Sequence, residues 1–219
     1  MKSTHSERVG VEWSGGQFGW AVDIDDVLAE TSLAVMERMY EKGFGTNDSV
    51  KKLRSLYEYP YLVPQWQGEE TQTEISLALN DTHFLAGLPV KRGAKKALVD
   101  KAPVLPVKLY MTSRMPEQYL ITRQWLEDHS FPEAPIVMRE PNERRGYWKI
   151  EHLLEQNIAT TGIIDDNKAA FIGHTNYMGW RIWLNDTETT SANLSEGVVR
   201  VSNWDEVNTL VGSEIGGTV

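Results

Sequence analysis

Gly19-Trp20-Ala21-Val22-Asp23-Ile24-Asp25-Asp26-Val27-Leu28 runs from apolar residues into three acids within four positions. An apolar run that stops abruptly in acids predicts a buried strand whose C-terminal end delivers carboxylates to one point. Alternation along a strand puts Asp23 and Asp25 on one face and Asp26 on the other. Carboxylates crowded in this way repel one another and resist desolvation, unless a cation sits among them or one holds a proton. The same residues also suit an acidic loop or a helix N-terminus, since Asp is favoured there and Val27-Leu28-Ala29-Glu30 can open a helix. The rest of the chain has to decide between these readings.

At 219 residues the chain can bury a full core, as one domain with an insertion or as two small domains. Its 41% hydrophobic and 24% charged residues are those of an ordinary soluble globular protein. Thirty-one acids against 22 Lys and Arg give a formal charge of -9, which argues against extended contact with DNA or RNA. A small phosphorylated substrate at a locally positive site remains compatible with that charge. The absence of cysteine excludes disulfides, thiolate catalysis and a zinc-cysteine site. No apolar run approaches the roughly 18 residues needed to span a bilayer, and residues 1–8 lack the apolar region of a signal peptide. The expectation is a cytoplasmic protein with no membrane partner; the oligomeric state is open.

Outward from the acidic stretch, residues 1–18 are polar and carry no assigned function. Over 29–88 the character is helical: Leu28, Val35, Met36, Met39 and Tyr40 recur at helical spacing until Gly43, Gly45 and Asn47 stop the run. Further helices are predicted over 48–57 and 71–80. Between them lies Tyr57-Glu58-Tyr59-Pro60-Tyr61-Leu62-Val63-Pro64-Gln65-Trp66, whose prolines rule out a regular helix. Residues 29–88 thus read as a small helical insertion between core segments 1–28 and 89–219. Tyr59, Tyr61 and Trp66 either stack on a base or another flat substrate group or pack the insertion's own core; the dominance of aromatics in small cores favours packing.

Regular alternation follows, with helices predicted over 91–99, 116–126 and 147–156, and a last one opened by Ser202 or Asn203. Strands are predicted over 104–111, 136–138, 161–164, 180–184 and 198–201. Strands separated by helices predict an α/β fold, a doubly wound, mainly parallel, Rossmann-like sheet with helices on both faces. Ligands of such sheets bind beyond the carboxyl ends of the strands. Three of those ends carry polar clusters: Asp23/Asp25, Thr112/Ser113 and Asp165/Asp166.

Asp23, Asp25, Asp165 and Asp166 supply hard oxygen ligands of the kind Mg²⁺ takes. A metal there would offset the repulsion and keep Asp23 ionised, leaving it able to attack phosphorus. Asp25, two residues on, is placed to protonate a leaving oxygen and later to deprotonate water. Thr112 offers a hydroxyl and a strand-to-helix turn whose backbone N–H groups suit phosphoryl oxygens. Lys149, Arg144 and Arg145 are the candidate cations.

The order of these motifs resembles the haloacid dehalogenase superfamily of aspartate-nucleophile phosphohydrolases. The resemblance rests on 22–28 for its first motif, Leu109-Tyr110-Met111-Thr112-Ser113-Arg114 for its second, Lys149 for its third and Gly162-Ile163-Ile164-Asp165-Asp166-Asn167 for its fourth. It implies Asp23 as nucleophile, Asp25 as general acid and base, Thr112 as phosphoryl ligand and Lys149 as charge stabiliser. Asp165 and Asp166 would complete a Mg²⁺ site to which the Asp25 position lends a backbone carbonyl. Residues 29–88 fall where members carry a helical cap that sets specificity. Retention of Asp25 points to phosphate transfer, most often to water, rather than to dehalogenation. Asp26 stands where the family usually has Gly, and Lys168 rivals Lys149. Arg114 reads equally as a substrate contact or a surface salt bridge.

Met111-Thr112-Ser113, Asp165-Asp166 and the cap resemble the deoxyribonucleotidase branch, which would make the substrate a nucleoside monophosphate. Generic small-molecule phosphatases share all three features. A polynucleotide 3′-end phosphatase following a backbone with Lys91-Arg92-Lys95-Lys96, a phosphotransferase, and a non-catalytic binding module on the same fold are the remaining alternatives.

Overall fold

A computed structural model describes residues 19–100, 105–143, 146–188 and 194–215. The polar segment 1–18 and two of the candidate cations, Arg144 and Arg145, lie outside the described residues.

Six strands form one sheet: β1 (Trp20–Val22), β2 (Val107–Thr112), β3 (Ile136–Met138), β4 (Gly162–Asp165), β5 (Trp180–Leu184) and β6 (Val198–Val201). Their order is β3-β2-β1-β4-β5-β6 and every ladder is parallel. The chain therefore builds outward from β1 to one edge, returns, and builds outward to the other. That reversal flanks β1 with β2 and β4 and makes its C-terminal end the crevice where open α/β sheets bind ligands.

Alternation along β1 sends Trp20 and Val22 into one core and Ala21 into the other. On the first face they meet α5 (Ala94–Leu98), α6 (Tyr119–Asp128) and α8 (Trp204–Ile215), through residues such as Leu98, Trp125 and Trp204. On the second, Leu109, Met111, Ile163 and Trp183 meet α7 (Trp148–Glu155) through Trp148, Ile150 and Leu153. A central strand covered on both faces has to be apolar throughout, which is why this stretch does not alternate. Gly162 is required beside it: a Cβ there would lie 2.5 Å from the Trp20 ring and 2.6 Å from the Trp180 carbonyl oxygen.

Between β1 and α5 the chain forms four helices, α1 (Thr31–Glu41), α2 (Val50–Leu56), α3 (Glu69–Asn80) and α4 (Thr82–Ala86). They enclose a third apolar cluster of Val35, Met36, Met39, Leu53, Val63, Trp66, Ile75 and Ala78. The aromatic stretch becomes two 3₁₀ turns, Pro60–Leu62 and Pro64–Trp66, each opened by a proline whose missing N–H is no loss there. α4 is too short to show a period; its start is set by Asp81, which accepts from His83 and Phe84 N–H.

Several bounds differ from the sequence expectation for local reasons. The helix expected over 91–99 covers only Ala94–Leu98, because Gly93 sits at φ 89° and cannot extend it backwards. Helix 116–126 opens as a 3₁₀ turn and becomes regular only at Tyr119. β2 begins at Val107, after a proline that donates nothing to the ladder. Among the described residues no helix is long and apolar enough to cross a membrane.

Candidate active site

Asp23 follows β1 directly, and its N–H donates to the Ile164 carbonyl at 3.0 Å, so the β1/β4 ladder fixes its backbone. Its carboxylate is buried and accepts from the Ile24 N–H at 2.8 Å. Asp165 ends β4 with no exposure, and Lys149, buried in the first turn of α7, bridges the two: Nζ lies 2.8 Å from Asp23 Oδ1 and 2.7 Å from Asp165 Oδ2. Lys168, the rival lysine, is exposed at the start of a 3₁₀ turn. Carboxylate oxygens of Asp23, Asp165 and Asp166 lie within 4.8 Å of one another.

One buried ammonium does not balance three carboxylates. Burial pushes Asp23 up to about 7, with Asp165 and Asp25 adding to the effect and Lys149 opposing it. Burial, then the charges of Asp23, Asp26 and Asp165, push Asp166 well above the ordinary carboxylate range. At Lys149 burial works against the charged form, but Asp165 and Asp23 outweigh it and raise its pKa. These upward shifts mark carboxylates whose ionised forms lack enough positive charge nearby, and such hard oxygen donors fit a divalent cation such as Mg²⁺.

Asp25 is engaged differently from the sequence expectation. Its carboxylate is outside the three-acid cluster because other groups hold it: Thr31 Oγ1 donates to Oδ1 at 2.7 Å, and Arg114 donates from Nη2 to Oδ1 at 2.8 Å and from Nε to Oδ2 at 3.0 Å. Arg114 is therefore not a surface salt bridge; it lines the cavity while pairing with Asp25. It is buried, forked onto Asp25, and braced by Nη1 donating to Thr122 at 3.2 Å. Thr112 is also fully buried; its hydroxyl donates to Asp25 at 3.3 Å and accepts from the Arg114 N–H at 3.2 Å. Ser113, one residue on, reaches the cavity.

Asp26 takes a role that sequence reasoning missed. With φ at 57° it occupies the left-handed region, which explains why Asp can replace Gly there. Its carboxylate accepts from the Ser32 N–H at 2.9 Å and from the Ser32 hydroxyl, capping the first turn of α1 from six residues upstream. Spacing that long matches no cap signature, so the sequence offered no signal.

The cavity over these groups has a volume of about 590 Å³, within the usual range for a small-molecule site. Asp23, Asp25, Lys149 and Asp166 line its floor. Tyr59 and Tyr61 line it from the helical segment, stacked on each other with centroids 5.0 Å apart at 13°. Gln72, Ser76 and Asn80, spaced by four on α3, complete that side. Trp66 does not reach it. The expectation that Trp66 contacts substrate is corrected: it is buried in the helical segment's own core, edge-on to Tyr40, with Nε1 donating to the Phe44 carbonyl at 2.8 Å.

A parallel sheet bearing an aspartate-led cluster at its switch point defines a doubly wound, Rossmann-like α/β protein. No family model matches the sequence, and no curated protein matches it. Solved structures match in three dimensions. A haloacid dehalogenase-superfamily hydrolase of subfamily IA from Geobacter sulfurreducens is 15% identical, with 90% of this chain and 98% of that one covered and a TM-score of 0.53. A haloacid dehalogenase family hydrolase from Deinococcus radiodurans, with bound phosphate and sodium, is 13% identical over 89% and 95%, with a TM-score of 0.55. A dehalogenase is 12% identical over 88% and 96%, with a TM-score of 0.54. The fold of this chain is that of the haloacid dehalogenase superfamily.

Proposed function

We propose that the protein is a Mg²⁺-dependent phosphomonoester hydrolase in which Asp23 is the nucleophile. The observation that carries this reading is Asp23 itself: buried at a strand end, held by Lys149, beside Asp165 and Asp166, with Asp25 two residues on. Asp23 attacks the phosphorus of a bound ester, forming an aspartyl-phosphate as the bond to the leaving oxygen breaks. Asp25 delivers the proton that oxygen needs. Then it takes one from water, which attacks the same phosphorus and frees the Asp23 carboxylate. Arg114 and Thr31 orient Asp25, while Lys149 offsets negative charge on Asp23. Ser113, which follows β2 on the cavity, offers its hydroxyl and backbone N–H toward the phosphoryl oxygens, whereas the buried Thr112 hydroxyl, expected from the sequence to bind them, is engaged with Asp25 and helps to orient it. Mg²⁺ bound by Asp23, Asp165 and Asp166 would supply further positive charge at that point.

The helices α1–α4 act as the cap of residues 29–88, and the leaving group lies against them. Within this reading a nucleoside monophosphate is favoured by the Tyr59–Tyr61 pair and by the side-chain amides of Gln72 and Asn80 on the same cavity. A polynucleotide end is disfavoured. Lys91, from the run that would follow a backbone, is buried 2.8 Å from Asp186, and Lys96 pairs with Asp205. Asp25 favours phosphate esters over haloacids, and the complete set of carboxylates and lysine argues against a non-catalytic module.

Phosphate release from nucleoside 5′- and 3′-monophosphates, sugar phosphates and an aryl phosphate, with Mg²⁺ and with chelator, tests the proposal. Metal-dependent turnover lost in Asp23→Asn supports it. Ligand binding without turnover of any ester would return the chain to a binding module.

A further inference from the structure

The Tyr59 hydroxyl oxygen is buried and has no hydrogen-bond partner among the described residues. Buried hydroxyls are nearly always partnered, so an orphan asks what it is for. This one is not free to turn elsewhere. Tyr59 is extended (φ -135°, ψ 149°) ahead of Pro60, its carbonyl accepts from Leu62 N–H at 3.0 Å, and its ring is stacked on Tyr61.

The residue lines the cavity shared by Asp23, Asp166 and Lys149. Burial, with the charges of Asp166, Tyr61, Asp165 and Asp26 adding to it, raises its pKa well above the usual phenol range, so the hydroxyl keeps its proton. A phenol at neutral pH is a donor, yet none of those carboxylates accepts from it. The missing acceptor is an oxygen that arrives with the ligand. We infer that the Tyr59 hydroxyl donates a hydrogen bond to an oxygen of the phosphoryl group bound at Asp23, so that the helical segment contributes to the chemistry as well as to leaving-group recognition. This rests on the phosphomonoesterase reading. A fixed neutral donor stabilises developing charge without having to reorganise.

Tyr59→Phe keeps the ring and its stack and removes only the donor. The inference is tested by steady-state kinetics of wild type and variant on an aryl phosphate and a nucleoside monophosphate, and by calorimetric titration of each with inorganic phosphate in Mg²⁺. The variant should melt no lower than wild type, since it loses a buried orphan rather than a bond. Expected is a drop in kcat/KM of about 10- to 100-fold that is the same for both esters, with phosphate binding weakened about 5- to 30-fold. Unchanged kinetics and unchanged phosphate binding overturn the inference. So does a loss confined to the nucleoside ester, which assigns the hydroxyl to the leaving group. A wild type that neither hydrolyses any ester nor binds phosphate overturns the phosphomonoesterase reading itself, a result distinguishable from an active wild type with an indifferent variant.

Discussion

At Asp23 the folded environment and the side chain's ordinary chemistry conflict: burial takes the carboxyl from 3.8 up to about 7 even with Lys149 at 2.8 Å. Between those two values the folded chain holds a proton that the unfolded chain has released, so this group's contribution to stability falls as pH rises through that window. In chelator, the melting temperature should be higher at pH 5.5 than at pH 7.5. Added Mg²⁺ should shrink the difference by stabilising the ionised cluster above pH 7. Asp23→Asn should flatten the profile in chelator and keep the fold, with turnover down at least about 10³-fold. An unfolded circular dichroism spectrum for that variant would contradict the argument. Arg114 belongs to the same scale. Arg114→Ala strips a forked partner from Asp25 and should cost about 2 kcal/mol in urea unfolding, below the full buried-pair value because Asp25 keeps 27% side-chain exposure.

At the scale of elements, the helical segment divides its aromatics by depth. Trp66 fills the core that α1, α2 and α3 share, so Trp66→Ala should cost about 3–5 kcal/mol, read from urea unfolding, through the cavity it leaves. Tyr61 lines the cavity over Asp23 instead. Tyr61→Ala should raise KM for a nucleoside monophosphate several-fold more than for an aryl phosphate; equal changes would place the Tyr61 ring in packing alone. The sequence made these residues visible as one proline-broken aromatic run. It could not rank them, because two successive 3₁₀ turns send neighbouring side chains in directions that no helical or strand period describes.

Across the whole molecule, the helical segment is tied to the core over the sheet's C-terminal edge. Arg54 of α2 lies 2.7 Å from Asp186 beyond β5, Asn185 donates to Glu58 at 3.0 Å, and Glu188 N–H donates to the Ser55 carbonyl at 2.6 Å. Among the described residues Arg54 Nε and Nη1 are buried without hydrogen-bond partners, and its charge is met by Asp186 at 2.7 Å and Asp26 at 4.0 Å. Asp186→Asn should therefore loosen α2 and the 57–62 turn, visible as faster amide exchange there with β1 and β4 unchanged, and turnover should fall. Exchange rates equal to wild type would show that packing alone holds the segment in place.

The order of apolar runs and their acidic ends was enough to predict a doubly wound sheet, the strand ends at which Asp23, Asp165 and Asp166 gather, and a helical segment after the first strand. Those features are local: strand burial, helix period and proline breaks are written in consecutive residues. The partnerships within the site were not. That Lys149 bridges Asp23 and Asp165, that Arg114 pairs with Asp25 and that Trp66 turns inward all depend on residues far apart in sequence. The order β3-β2-β1-β4-β5-β6 brings the ends of β2 and β4 to either side of β1, and burial there makes each charge choose a partner. Residue types set which chemistry the strand ends can support; only tertiary packing decides which of those residues are free to perform it.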